Sequence, residues 1–181
     1  MAQIQPIPKD LHTVTPNLVL KDCARAIEFY RRAFGAEEVM RMPTPDGRHI
    51  WHAELRIGDS ILYLADELPD GPLRAPTQAA PAPVSIQLYV KDCDALFGRA
   101  VKAGAIQVSA PQDTFWGDRM GAVADPFGYR WSVATHVRDV SARDMERAVD
   151  ELRRHAGGKT DVAAQGAWRA AEDEESESMH R

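Results

Sequence analysis

Cysteine is scarce in this 181-residue chain, with only Cys23 and Cys93 present. Two thiols make no disulfide framework, which excludes the small, stapled secreted folds and suits a reducing, cytoplasmic compartment. Long apolar runs are also missing, and nothing approaches the roughly 20 residues a membrane helix needs. The amino terminus, MAQIQPIPKD, lacks the basic-then-apolar order of a secretory signal. Positive charge is in deficit, with 22 Lys and Arg against 27 Asp and Glu and a net charge of -5. The basic residues are scattered rather than striped, so a nucleic-acid partner is not expected. What is present, 44% hydrophobic and 27% charged residues, is the balance of a globular domain.

The informative feature is an internal repeat. Leu18-Val19-Leu20-Lys21-Asp22-Cys23 reads against Leu88-Tyr89-Val90-Lys91-Asp92-Cys93 at an offset of 70. Gly35-Ala36 matches Gly104-Ala105 at 69, and Ile61-Leu62-Tyr63-Leu64-Ala65 aligns with Arg130-Trp131-Ser132-Val133-Ala134 at that same offset. Three segments in nearly constant register point to duplication.

Each copy reads as strand, helix and three strands. Residues 13–20 alternate polar and apolar, as a half-buried strand does. Asp22 is placed to cap a helix carrying Ala26, Ile27, Tyr30 and Phe34 on one face, and Gly35 to end it. Strands are expected near 36–43, 49–57 and 60–66, turned by Pro45-Asp46-Gly47 and Gly58-Asp59. The second copy predicts a strand over 84–91, a helix over 93–103, and strands near 105–110, 119–125 and 129–135. The fold class is therefore α+β: two tandem βαβββ modules, 12–67 and 84–137, each with a mixed sheet. An N-terminal extension (1–11) precedes them, and a Pro- and Ala-rich, semi-extended connector (68–83) joins them. After the repeat, Ser141 and Asp144 resemble a capping box opening a helix with Met145, Ala148, Val149 and Leu152 on one stripe, within 138–156. Residues 157–181 read as a disordered acidic tail.

Duplicated units with Ala-Ile-Glu-Phe-Tyr (26–30) on the first helix and Asp-Pro-Phe-Gly-Tyr-Arg-Trp (125–131) before the last strand resemble the vicinal oxygen chelate superfamily of glyoxalases, bleomycin-resistance proteins and extradiol dioxygenases. Phe115-Trp116-Gly117-Asp118-Arg119 followed by Asp125-Pro126-Phe127-Gly128 is most similar to its PhnB-like branch. The resemblance implies sheets curled into a cup, often completed in a homodimer. It also implies, for the metal enzymes, a divalent ion held by His, Glu or Gln from the first and last strands of each module. The equivalent positions here are Thr15, Ser85, Tyr63 and Ser132. None is a usual ligand of a dedicated metal site.

Alternation places Thr15, Asn17, Tyr63, Ser85, Gln87, Tyr89 and Ser132 on the polar phase, as lining of a metal-free cup. Val14, Leu18, Leu62, Ile86, Leu88, Val90, Trp131 and Val133 fall on the phase that packs under the helices. Trp51 and Trp116 are candidate walls for a planar ligand. Arg119 meets an anionic group or pairs with Asp118. A displaced metal site would draw on His12, His52 or Glu54, since His49 and His52 point to opposite faces. His136, His155 and His180 are given no role. Cys23 and Cys93 follow helix caps, where the dipole favours thiolate, yet neither has a local base. No catalytic residue emerges. The sequence leans away from an enzyme and toward capture of a small molecule with no cofactor. A lyase, isomerase or dioxygenase with a moved metal, and a non-catalytic scaffold, are the alternatives.

Overall fold

The computed structural model describes residues 4–8 and 10–155; the tail expected over 157–181 lies outside them. The elements run β1 (Asn17–Leu20), α1 (Cys23–Phe34), β2 (Glu37–Pro43), β3 (Ile50–Ile57), β4 (Ser60–Asp66), β5 (Ser85–Tyr89), α2 (Cys93–Ala103), β6 (Ile106–Asp113), β7 (Asp118–Ala124), β8 (Arg130–His136) and α3 (Ala142–His155). The two tandem modules are each a four-stranded mixed sheet, ordered β1-β4-β3-β2 and β5-β8-β7-β6. In both, the first strand runs parallel to the last, and the helix between them makes the crossover.

Equivalent residues do equivalent work. Asp22 accepts from the Arg25 N–H at 3.0 Å and Asp92 from the Ala95 N–H at 2.9 Å, each satisfying a free first-turn donor. Gly35 and Gly104 end the helices at φ of 71° and 114°, where a side chain would be strained. The last strand then anchors the helix start. Asp66 accepts from the Cys23 N–H at 2.7 Å, and its repeat mate Thr135 accepts from the Cys93 N–H at 2.9 Å. Ser141 caps α3: its hydroxyl oxygen accepts from the Asp144 N–H at 3.2 Å and donates to the Asp144 carboxylate at 2.7 Å.

The core is one cluster spanning both modules. Leu18, Leu20, Leu55, Leu62 and Leu64 close under α1, and Trp131, Val133 and Val123 lie beneath the helix layer of the second sheet. The rings of α1 reach across: Phe34 and Tyr30 pack on Trp131 with centroids 4.5 and 5.2 Å apart, and Phe29 meets Phe127 at 5.8 Å. Buried among them, Asp125 accepts from the Tyr30 hydroxyl at 2.7 Å, the Trp131 indole at 2.9 Å, and the N–H groups of Phe127 and Tyr129. Burial pushes its carboxyl above the usual range against the pull of those donors.

Two expectations need correction. Val14 does not pack under a helix; it is 79% exposed, because pairing begins only at Asn17, after Pro16. Proline lacks the N–H that a longer ladder needs. Ile86, Leu88 and Val90 lie on the expected phase but are only partly buried. No helix among the described residues is long and apolar enough to cross a membrane.

Candidate functional site

The helix-free face of the first sheet carries Asn17 and Tyr63, which stand opposite each other in the β1–β4 register. His52 packs edge-on against Tyr63 with ring centroids 4.6 Å apart, and its Nε2 lies 3.2 Å from Glu54 Oε1. On the second sheet Gln87 stands opposite Ser132 on the matching face, with Ser85 and Tyr89 two residues to either side. Thr15 precedes β1 and donates to the His12 carbonyl at 3.5 Å. Trp51 is apart from these groups, half exposed beside the β2–β3 hairpin and Leu68.

At the end of the second face lies a cluster the sequence did not reveal. Asp118, 4% exposed, accepts from the Tyr89 hydroxyl at 2.8 Å and the Trp116 indole at 3.2 Å, and pairs with His136 Nδ1 at 2.9 Å. Burial pushes the Asp118 carboxyl up, but these three donors outweigh it and hold the group below its usual range. His136 has a second carboxylate, Asp139, 2.9 Å from Nε2, and the two acids raise the imidazole pKa. The expected pairing of Arg119 with Asp118 does not form. Successive strand residues point to opposite faces, so Arg119 turns to the helix side and binds Asp94 at 2.6 and 2.8 Å and Asp113 at 3.0 Å. Only a search for acceptors shared across β5, β7 and β8 would have found the Asp118 cluster.

A drug-sized cavity lies elsewhere. It has a volume of about 800 Å³ and opens on the helix side, at the seam between the modules. Phe34, Leu62, Ile86, Leu88, Leu96 and Trp131 give it apolar walls; Thr15, Gln87 and Tyr89 of the expected lining reach it, with His12 and Arg99. Asn17, Trp51, Tyr63, Ser85, Trp116, Arg119 and Ser132 do not line it. The cysteines are buried and take no part. Burial is the main force raising both thiols, Cys23 to about 12, so the dipole effect expected at the caps is overridden.

A family profile described as the Glyoxalase/Bleomycin resistance protein/Dioxygenase superfamily matches residues 11–133. The chain belongs to that superfamily. It is similar to an uncharacterised protein of Mycobacterium tuberculosis, 46% identical over 139 residues that cover 75% of this chain and 81% of the relative. The crystal structure of TioX from Micromonospora sp. ML1 superposes with a TM-score of 0.54 at 29% identity, covering 70% of this chain and 99% of that one. The fosfomycin resistance protein FosX of Listeria monocytogenes, solved with Mn(II) and sulfate, shares the fold at a TM-score of 0.53 and 12% identity; the match covers 75% of this chain and 97% of FosX.

Superfamily membership raises the question of a divalent ion. Thr15, Tyr63, Ser85 and Ser132 offer hydroxyls where the resemblance implies imidazole or carboxylate donors. Of the displaced candidates, His52 and Glu54 touch, while His12 lines the seam cavity. Among the described residues no group of three or more His, Cys, Asp or Glu side chains is placed to hold a metal. The residues present do not fit the ion that the superfamily's metal enzymes use.

Proposed function

We propose that this superfamily member is a PhnB-like binding protein that captures a small organic molecule by non-covalent contact, in drug or metabolite sequestration. The cavity of about 800 Å³ is the observation that carries this reading. Its size lies in the range of drug-sized sites, and its apolar walls with a few polar groups at the rim are the usual composition of such sites. The reading takes the protein as cytoplasmic and as a homodimer, with Met40, Met42 and Tyr89 exposed on the helix-free faces where a second copy would cover them.

A thermal-shift screen of aromatic antibiotics and aromatic metabolites tests the capture, because a ligand that binds only the native state raises the melting temperature. A saturating, dose-dependent rise with at least one compound is expected. Elemental analysis of the purified protein separates capture from a metal-dependent lyase or dioxygenase. Stoichiometric Zn, Ni, Mn or Fe, lost in His52→Ala or Glu54→Ala, would sink the metal-free reading. A chain that no compound in the screen stabilises would favour the scaffold alternative.

A further inference from the structure

A duplicated chain has two equivalent seams between its modules, and here only one is filled. In the first, the turn between β7 and β8 closes the unpaired edge of β1. The Tyr129 hydroxyl donates to the Val19 carbonyl at 2.9 Å and lies 3.0 Å from the Val19 N–H, which it accepts. Phe127 and Trp131 pack beside it against the rings of α1. One side chain thus satisfies both backbone groups of a buried strand edge.

The second seam has the same frame and lacks the plug. The repeat mate of Tyr129 is Ser60, that of Phe127 is Gly58 and that of Trp131 is Leu62, all at the offset of 69. The mate of Val19 is Tyr89, and the strand registers agree: Val19 stands opposite Ala65 and Tyr89 opposite Ala134. The Val19 N–H and C=O are free to meet Tyr129 because they face away from β4. By the same register those of Tyr89 face away from β8, toward the cavity that Tyr89 and Ser60 both line. Large rings in one seam answer to Ser, Gly and Leu in the other, and the volume they leave is the cavity. Arg99 also lines it; its Nε donates to the Ala33 carbonyl at 3.0 Å, and among the described residues it forms no ion pair with a carboxylate.

We propose that the second seam binds a planar phenol, its ring taking the volume that Tyr129 fills in the first seam and its hydroxyl meeting the backbone N–H and C=O of Tyr89. The phenol is the ligand class because the chain's own filled seam shows one group, donor and acceptor together, that fits such an edge. An acidic substituent on the ring meets the guanidinium of Arg99 at the rim. This inference rests on the capture reading and narrows it to a ligand class.

Calorimetric titration of the full chain with 3-(4-hydroxyphenyl)propionate, 4-ethylphenol and 3-phenylpropionate tests it. Both phenols are expected to bind at one site per chain. 3-Phenylpropionate, with the carboxylate but no hydroxyl, is expected to bind at least about tenfold more weakly than its hydroxyl-bearing counterpart, because the Tyr89 edge is then left unpaired. Ser60→Tyr installs the plug of the other seam and should abolish binding of both phenols. Leu88→Trp fills the same space from the opposite wall and serves if Ser60→Tyr fails to fold. Equal affinity with and without the hydroxyl, or unchanged binding in both variants, overturns the inference. If neither phenol binds while another compound of the thermal-shift screen does, the phenol class falls and capture stands. If nothing binds, both fall.

Discussion

Single side chains here matter through the partners they hold across the chain. His136 stands between Asp118 and Asp139, with Tyr89 and Trp116 on the same buried carboxylate. Its folded pKa is raised above the ordinary value of 6.5, chiefly by the hydrogen bond to Asp139 and then by that to Asp118. A raised pKa means that the native state binds the proton more tightly than the unfolded chain does. The stabilisation is therefore complete below about pH 6.5 and is lost as the pH rises through the folded value. Urea midpoints of the wild type and His136→Gln, measured from pH 5.5 to 9, should differ most at the acid end and converge at the alkaline end. A difference that stays constant with pH would show that the two ion pairs carry none of it. The solvent-facing position of His136 makes the effect modest and salt-sensitive. Sequence spacing showed only a histidine at a strand end, since Asp118, the buried carboxylate that ties it to Tyr89 and Trp116, lies 18 residues away on another strand.

Among the elements, local signals and structure agree wherever the determining atoms are close in sequence. The caps at Asp22, Asp92 and Ser141 and the glycine stops at Gly35 and Gly104 use partners within a few residues, so composition and spacing suffice to place them. Disagreement arises where one residue alters a ladder. Pro16 shortens β1 and exposes Val14; β6 runs on to Asp113 past Pro111, which an edge strand with irregular pairing tolerates. The turn between β7 and β8 adds a tertiary demand to a local one. Gly128 sits at φ +93°, and a Cβ there would lie 2.8 and 2.9 Å from the Thr77 carbonyl oxygen and nitrogen of the connector. Gly128→Ala thus adds backbone strain to a clash with main chain that the connector cannot easily relieve. A loss of about 2–3 kcal/mol is expected, read as a melting temperature lower by roughly 5–10 °C. A shift under about 2 °C would mean that the connector moves freely and does not clamp the turn.

For the whole molecule, the duplication was legible because it is written in short matching segments, and the superfamily followed from it. The cavity was not. Its position depends on how two modules of one chain lean on each other, and the deciding contacts join residues 95 and 110 positions apart, Tyr30 with Asp125 and Tyr129 with Val19. The polar phase of the strands was a sound guide to which residues share a face, yet an apolar strand phase lines the cavity because the second seam lacks the rings of the first. That asymmetry also bears on cooperativity. Tyr129→Phe keeps the ring and removes only the hydroxyl, leaving the Val19 N–H and C=O without their partner at a site where Val19 is 9% exposed. An unpaired buried backbone group costs about 1–3 kcal/mol, so the urea midpoint should fall accordingly while the slope of the transition stays unchanged. Circular dichroism and tryptophan fluorescence should still report one coincident transition, because the aromatic packing that joins the modules survives the loss of one oxygen. If the two probes separate instead, the phenolic hydroxyl, more than the ring contacts, is what makes two copies of one unit fold as a single body.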